Sequence, residues 1–289
     1  MSSIDTLPGS AEPGGERGGD DRYTVPGLER GLRILCEFSR REPTLTAPEL
    51  ARRLGVPRST VFRLLVTLEQ MGFVERTADG RAHRLGLAVL RLGFEYMASL
   101  DIVALGRPLL ERLRDDSGFA ASLVVRDGRD IVYLQRAAPQ SPFATTVTVG
   151  TRLPAHATVL GHVLLGDLSL SELRALYPEP RLDGASANTP ANADALFEVV
   201  QQTRQRGYVM AEAFFEPHIS TVAAPVFGDN GHVVAALGLT IPGGQIPAER
   251  QAPLVGQVRA AATHLSTLLN FQPEPADEAA PAAAPQRKR

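Results

Sequence analysis

Side chains that can hydrogen-bond to nucleic-acid bases and phosphates are concentrated between residues 58 and 67 of this sequence. This group comprises Arg58, Ser59, Thr60, Arg63 and Thr67, and its spacing places all five on the polar face of one helix. Guanidinium groups form paired hydrogen bonds with guanine edges or phosphate oxygens, and hydroxyl groups add single hydrogen bonds. The chemistry that this group offers is recognition of DNA.

Three further arginines, Arg76, Arg81 and Arg84, surround the Asp79-Gly80 pair. Asp-Gly is a strong signal for a tight hairpin turn, so we predict two short strands, 73–77 and 82–85, around it. A hairpin directly after a DNA-reading helix is a wing. We therefore expect these three arginines to contact phosphates or the minor groove.

The elements before the wing read as a helix-turn-helix. Thr46 and Glu49 have the spacing of a capping box, which predicts a helix that ends at Gly55. Pro57 then opens a second helix, which runs to about Gln70. The major groove accepts one such helix with its N-terminal residues against base edges. The other interpretation is an ordinary helical hairpin with a polar surface.

A further helix is predicted ahead of the helix-turn-helix, because apolar residues recur at helical spacing there. Its inward face is expected to hold Leu28, Leu32, Leu35 and Phe38, with Cys36 nearby as a small buried residue. Since Cys36 is the only cysteine, an internal disulfide and a cysteine-based zinc cluster are excluded, which fits a reducing cytoplasm.

Charge is distributed unevenly, although the net charge is only −2. Residues 1–21 hold five acidic residues and one arginine, whereas residues 22–85 hold twelve arginines and seven acidic residues. The basic block coincides with the predicted helix-turn-helix and wing, which favours a nucleic-acid partner. No apolar run is long enough for a membrane span, and we expect no membrane association.

An enzyme is the main alternative class, and the sequence offers little for it. It has no Gly-x-Ser-x-Gly elbow, no P-loop and no Gly-x-Gly-x-x-Gly after a strand. His156 and His162 are six residues apart and do not share a helix face, so we expect surface or capping roles and no metal site. A protein-interaction module without a ligand is a third possibility, and a ligand-dependent shift in thermal stability would separate these classes.

The second half of the chain reads as an α/β domain. Predicted strands are 120–125, 131–136, 145–149, 220–227 and 232–241, with helices at 87–99, 101–116, 156–165, 193–206 and 247–269.

Six stretches closely resemble bacterial transcription regulators of the IclR type: Leu28–Leu35, Leu50–Arg76, His83–Gly86, Gly150–Leu165, Arg206–Val226 and Gly231–Pro242. The resemblance covers roughly residues 25–270. It implies an α+β protein in which an N-terminal winged helix-turn-helix domain is joined by a linker helix to a GAF-like α/β effector-binding domain. It also implies a homodimer or homotetramer that binds double-stranded operator DNA, responds to a small organic acid and needs no cofactor.

The expected boundaries are a disordered tail over 1–24, the DNA-binding domain over 25–86, the linker helix over 87–100, the effector domain over 101–270 and a disordered tail over 271–289.

In this family the effector contacts come from the helix after the Leu-Pro-Ala-His-Ala motif, the segment after Gly-Tyr and the last two strands. Carried over by position, the resemblance implies these effector-binding residues: Thr158, Val159, Leu160, Ala211, His218, Thr221, Gly238 and Thr240.

Several of these positions depart from the family pattern. Members that bind small keto acids usually have an acidic residue where Ala211 stands, a cysteine where Thr221 stands and a lysine where His162 stands. We therefore expect a less polar pocket and a larger effector, such as an aromatic acid, although neutral drift would explain the same changes. Thr221 and Thr240 are expected to donate hydrogen bonds, unless they bond strand carbonyls, while Ala211 and Gly238 make room.

The sequence thus predicts a transcription regulator that binds an operator and controls a catabolic operon. The alternatives left open are a DNA-binding or interaction protein without a ligand and, less favoured, an enzyme that acts on a small molecule.

Overall fold

The computed structural model describes residues 24–39, 41–139, 147–184 and 186–271. Its contacts divide the chain into two compact units, Met1–Tyr96 and Met97–Arg289. The predicted tails 1–24 and 271–289 lie outside the described residues, apart from Thr24 and Phe271. Within the described part, no helix combines the length and the apolar character that crossing a membrane requires.

In the described part of the N-terminal unit, residues up to 85 form three helices followed by a two-stranded antiparallel hairpin: α1 (Pro26–Glu37), α2 (Ala47–Leu54), α3 (Arg58–Gln70), β1 (Val74–Arg76) and β2 (His83–Leu85). This order confirms the predicted winged helix-turn-helix.

The turn between α2 and α3 is set by local signals that the sequence carries. The Thr46 hydroxyl accepts a hydrogen bond from the Glu49 amide, and the Glu49 carboxylate accepts one from the Thr46 amide at 2.8 Å. Gly55 ends α2 in the left-handed conformation, at φ 66°, which a residue with a side chain rarely adopts. The predicted capping box and helix stop are both confirmed.

The inward face of α1 agrees with the prediction only in part, since Phe38 is buried as predicted and Leu35 packs partly buried against the core. Gly31, Ile34 and Phe38 are buried, while Leu28 and Leu32 are 63% and 54% exposed. Cys36 is also exposed, so its predicted burial is wrong. The side of α1 that packs on the domain is centred on Ile34, so periodicity alone placed Leu28 and Leu32 inward by mistake.

Helix α4 (Leu87–Ala98) follows the wing directly and confirms the helix predicted there. It crosses the division between the two units and has no buried residue.

The C-terminal unit is built on a six-stranded antiparallel sheet with strand order β5-β4-β3-β8-β7-β6. Its strands are β3 (Ala120–Asp127), β4 (Asp130–Ala137), β5 (Arg152–Pro154), β6 (Val209–Ala211), β7 (Ile219–Phe227) and β8 (Val233–Pro242). The helices are α5 (Asp101–Ser117), α6 (Val159–Leu164), α7 (Leu170–Leu176), α8 (Ala193–Arg206) and α9 (Ala248–Leu268).

Helices cover both faces of this sheet. On one face α5 and α9 pack against Leu123, Leu237 and Leu239, and on the other α6 and α8 pack against Val124 and Ala223. Alternate residues of the central strands thus belong to two separate hydrophobic cores. Because both faces are buried, the sequences of β7 and β8 are nearly continuous apolar runs. The fold class predicted from the sequence, a winged helix domain followed by an α/β domain, is confirmed.

Two predicted elements are placed differently by the structure. Of the strand predicted at 145–149, residues 145 and 146 lie outside the described part, and Val147–Val149 is a loop; the edge strand is β5 instead. The helix predicted at 156–165 is a 3-10 turn at Ala155–Ala157 followed by α6. Thr158 separates the two because it is extended and its hydroxyl accepts a hydrogen bond from the Gly161 amide.

Candidate DNA-binding surface and ligand cavity

The outer face of α3 carries the residues predicted to read bases. Arg58, Ser59, Arg63 and Thr67 are exposed, and Thr60 is half-buried. The Thr67 hydroxyl donates to the Arg63 carbonyl at 3.1 Å, so part of its bonding capacity is used within the helix. Val61 and Leu65 are buried on the opposite side and fix which face points outward. Contact of the outward residues with DNA stays a prediction.

Two of the three wing arginines form ion pairs inside the domain. Arg76 lies 3.0 Å from a carboxylate oxygen of Glu69 on α3, and Arg84 lies 2.9 Å from one of Glu75 across the hairpin. Exposed pairs of this kind are weak, so a phosphate can displace the carboxylate. Arg81 is exposed at the hairpin turn, where Gly80 has φ 68° and Asp79 accepts a hydrogen bond from the Arg81 amide.

His83 is buried in the wing, at the register position opposite Arg76. Its two ring nitrogens have no hydrogen-bond partner among the described residues. Burial, with a smaller contribution from the Arg76 charge, lowers the pKa of His83. The imidazole therefore behaves as a neutral core group of the wing.

A cavity of about 530 Å³ lies in the C-terminal unit, between the sheet and the segments that follow β5 and β6. Six of the eight residues predicted to bind an effector line it: Thr158, Val159, Leu160, His218, Thr221 and Thr240. They come from α6 and its N-cap, from β7 with the loop before it, and from β8. The structure thus brings together residues that are more than 80 positions apart in sequence.

Ala211 and Gly238 do not line this cavity. Ala211 pairs with Thr221 in the register of β6 and β7, next to the lining residue. Gly238 lies under α6, where an added Cβ would be 2.9 Å from Leu160 Cδ2 and 2.9 Å from the Val222 carbonyl oxygen. The space that Gly238 leaves free is therefore occupied by Leu160, which gives the glycine a packing role.

Tyr133 on β4 also lines the cavity, although it was not predicted from the sequence. A register shift between Leu123 and Val124 places Tyr133 opposite Val124, on the sheet face that α6 covers. Burial raises the pKa of Tyr133 to about 12, so the phenol keeps its proton at neutral pH and can donate a hydrogen bond. The only sequence signal was the presence of a tyrosine within an apolar strand. The strand register that turns this tyrosine toward the cavity cannot be predicted from a local sequence pattern.

Phe215 and Glu216 also line the cavity and were likewise missed. They belong to the loop 212–218, which is tied to its surroundings by several hydrogen bonds, among them one from the Gly243 amide to the His218 carbonyl at 2.8 Å. The Ser186 hydroxyl donates to the Phe214 carbonyl at 2.6 Å, the Asn188 amide donates to the Ala213 carbonyl at 3.2 Å, and the Ile246 amide donates to Glu212 at 2.8 Å. This loop is a positioned wall of the cavity, since its conformation, with Ala213 at φ 49°, is held from three sides.

His156 and His162 are buried beside α6, which corrects the expectation of surface roles. A ring nitrogen of His162 is 2.9 Å from the His156 carbonyl oxygen, and one of His156 is 3.0 Å from the Asp183 carbonyl oxygen. Burial lowers the pKa of His162 to about 4. These bonds hold the 3-10 turn against α6, and within the described ranges no three His, Cys, Asp or Glu side chains are grouped to hold a metal ion.

Comparison with known proteins gives matches over both units. A family model described as the C-terminal part of the bacterial transcriptional regulator IclR matches residues 94–267, and the IclR helix-turn-helix domain matches residues 27–78. The chain is 31% identical to the Pca regulon regulatory protein of Pseudomonas putida over 220 residues, which are 76% of this chain and 75% of that protein.

Solved structures agree with this result. An IclR transcriptional regulator from Alicyclobacillus acidocaldarius is 26% identical, with a TM-score of 0.76 over 86% of this chain and 100% of that one. An IclR homologue from Microbacterium hydrocarbonoxydans, solved in complex with 4-hydroxybenzoate, is 27% identical, with a TM-score of 0.74 over 84% of this chain and 98% of that one.

Proposed function

Because the chain belongs to the IclR family of DNA-binding bacterial transcription regulators, we propose that a small aromatic acid controls its binding to an operator. In this proposal α3 and the wing bind the DNA, the acid binds in the C-terminal cavity, and the regulated genes form a catabolic operon. The main structural support for this proposal is the cavity itself.

The dimensions of the cavity suit a small organic ligand. Its volume of about 530 Å³ falls within the range of about 300–1,000 Å³ typical of sites for small molecules. Val159, Leu160 and Ile219 supply apolar walls that a ring can cover. A two-carbon acid would leave most of this apolar surface without a partner, so an aromatic ring fits better than a short keto acid.

Hydroxyl groups supply the polar contacts in this proposal. Thr221 and Thr240 lie side by side on β7 and β8, and the Tyr133 phenol faces the same cavity. Uncharged donors of this kind can bind a carboxylate or a phenolic oxygen, and a buried hydroxyl normally needs such a partner. The Microbacterium homologue binds 4-hydroxybenzoate, which carries both groups.

Two side chains at the border of the cavity can attract an anion. His218 lines it on the exposed side. Arg136 is half-buried, and its guanidinium donates a hydrogen bond at 3.1 Å to the carbonyl of Val147, another lining residue. Burial lowers the pKa of Arg136, but its ordinary value is so high that the charge remains at neutral pH. This cation attracts an acid, whereas the Glu216 carboxylate, which also lines the cavity, repels one.

We further propose that the regulator is a homodimer or homotetramer in which α4 contributes to the contact between copies. Leu87, Leu90 and Phe94 are 76%, 54% and 65% exposed along α4. A helix-turn-helix protein commonly reads two half-sites about one turn of DNA apart, which requires a two-fold partner. An apolar helix that leads away from the wing can provide this contact.

Thermal unfolding of the full chain with added acids tests the proposal. We expect 4-hydroxybenzoate to raise the melting temperature in a concentration-dependent way, because a ligand that binds only the folded state stabilises it. Glyoxylate at equal concentration should give a smaller shift. A chain that binds DNA but is not stabilised by any aromatic acid would be a regulator without this type of effector, which is the alternative.

A further inference from the structure

The recognition helix α3 exposes one large apolar side chain among its polar ones. Phe62 is 56% exposed, whereas the apolar residues that anchor α3 in its domain, Val61 and Leu65, are 0% and 1% exposed. Phe62 is also absent from the residues that form the core of this domain. The folded domain therefore gains little from a phenyl ring at this position, and leaving the ring in water is unfavourable.

Helical spacing places Phe62 inside the surface predicted to face DNA. Arg58 precedes it and Val66 follows it by four residues each, so the three form one row along α3. Ser59, Arg63 and Thr67 would form the adjacent row by the same spacing. The ring thus lies on the same outward surface as two guanidinium groups, and neither Arg58 nor Arg63 has an ion-pair partner among the described residues.

We infer that Phe62 is a specificity-determining residue that reads thymine by packing its ring against the C5-methyl group in the major groove. This inference rests on the proposed DNA contact of α3. The thymine methyl is the one apolar group that a base pair presents in this groove, and phenylalanine is among the side chains known to contact it. Arg58 and Arg63 would hold the helix against phosphates or guanines on either side of the ring.

A second copy of the chain is the competing occupant for this surface, since Leu28 and Leu32 are also exposed in the same domain. The charges favour DNA. In a two-fold contact centred on Phe62, each copy would present the same patch to the other, so Arg58 and Arg63 would approach their own counterparts. On DNA, Arg58 and Arg63 would instead lie close to phosphate groups.

The experiment starts from duplexes that the full-length chain selects from a randomised pool. Each thymine of the selected site is then replaced, one at a time, by deoxyuridine, which removes only the methyl group. We expect one position in each half-site to lose about fourfold in affinity with the wild type, the effect of one buried methyl group. With Phe62→Ala the same replacement should have no effect, and Phe62→Leu should retain part of it.

Two outcomes would overturn the inference. If deoxyuridine weakens the binding of wild type and Phe62→Ala equally, the methyl contact belongs to another residue. If Phe62→Ala weakens binding to selected and shuffled duplexes equally and changes the mass in light scattering, Phe62 belongs to a contact between copies. A pool from which the chain enriches no sequence would instead contradict the proposed function itself, so the two failures are distinguishable.

Discussion

Thr221 on β7 lies directly opposite Thr240 on β8, and both side chains line the same cavity. Residues paired in this way on antiparallel strands have their Cβ atoms about 4.5–5.5 Å apart, so the two hydroxyls can reach the same group of a ligand. The pairing gives the otherwise apolar wall two adjacent hydrogen-bond donors.

Replacing either threonine by valine tests this pair, because valine keeps the shape and removes the hydroxyl. We expect Thr221→Val and Thr240→Val each to lose about 1.5–3 kcal/mol of affinity for a carboxylate ligand, the usual loss for a hydrogen bond to a charged group. Calorimetric titration with 4-hydroxybenzoate measures this. Thr267→Val, on the exposed side of α9, is the matched control and should bind as the wild type does. Unchanged affinity in both cavity variants would show that the ligand binds elsewhere.

The ion pairs of the wing predict how its arginines contribute to DNA binding. Arg81→Ala should remove one phosphate contact and so reduce the log–log salt slope by about 0.9. Glu75→Gln should increase the affinity for DNA and the salt slope, because it frees Arg84 from its 2.9 Å ion pair with Glu75. Electrophoretic or fluorescence titrations at several salt concentrations measure both slopes. If Glu75→Gln leaves the affinity and the slope unchanged, Arg84 does not contact phosphate.

The buried His162 predicts a loss of stability at acidic pH. Its pKa in the folded state, about 4, is below its ordinary value of 6.5, so the unfolded chain takes up a proton first as the pH falls. The contribution of neutral His162 to the free energy of unfolding is fully present above pH 6.5 and is lost between pH 6.5 and about 4. Its magnitude is on the order of 3 kcal/mol. His156 adds a loss of the same sign, since burial lowers its pKa too.

Urea unfolding at a series of pH values measures this effect. His162→Gln keeps a side-chain donor for the His156 carbonyl but cannot titrate, so its stability should change less between pH 7 and pH 4. His264→Gln, at an exposed site of α9, is the control and should follow the wild type. Parallel stability curves for wild type and His162→Gln would mean that His162 does not carry the pH dependence.

The exposed apolar residues of α4 lead to a prediction about how added charge affects self-association. Leu90→Glu combined with Phe94→Glu should lower the mass measured by light scattering, because two carboxylates would be forced into an apolar contact. Ala98→Glu, at the exposed end of α4, adds one such charge outside the predicted contact and should have a smaller effect than either single substitution, Leu90→Glu or Phe94→Glu. A double variant with the wild-type mass would place the contact between copies on another surface.

Local signals allowed much of the fold to be predicted from the sequence. The capping box at Thr46, the stop at Gly55 and the Asp79-Gly80 turn act over a few residues, and the structure contains all three. The inward face of α1 was predicted only in part, since Phe38 and Leu35 pack on the core while Leu28 and Leu32, at the same helical spacing, are exposed. Which side of α1 is buried depends on how the helix packs against α2 and α3, and this tertiary packing is not determined by the local sequence pattern.

The cavity was predictable only where the family resemblance supplied positions. It gave Thr158, Thr221 and Thr240, but Tyr133 reaches the cavity through a register shift of β4 that no local pattern encodes. Gly238 illustrates a related limit. It was expected to make room for the ligand, whereas the structure shows that it makes room for Leu160, because α6 approaches the sheet closely at this point.

We expect a small aromatic acid in the cavity to change DNA binding, and this coupling is measured by the affinity of the full chain for its selected duplex. The dissociation constant is measured with and without saturating benzoate, 4-hydroxybenzoate and 3,4-dihydroxybenzoate. We expect at least one acid to change it by about tenfold, within the usual range of coupling between two sites, and the Thr221→Val, Thr240→Val double variant to lose this response. A dissociation constant of the wild type that stays the same with every one of these acids would contradict the account.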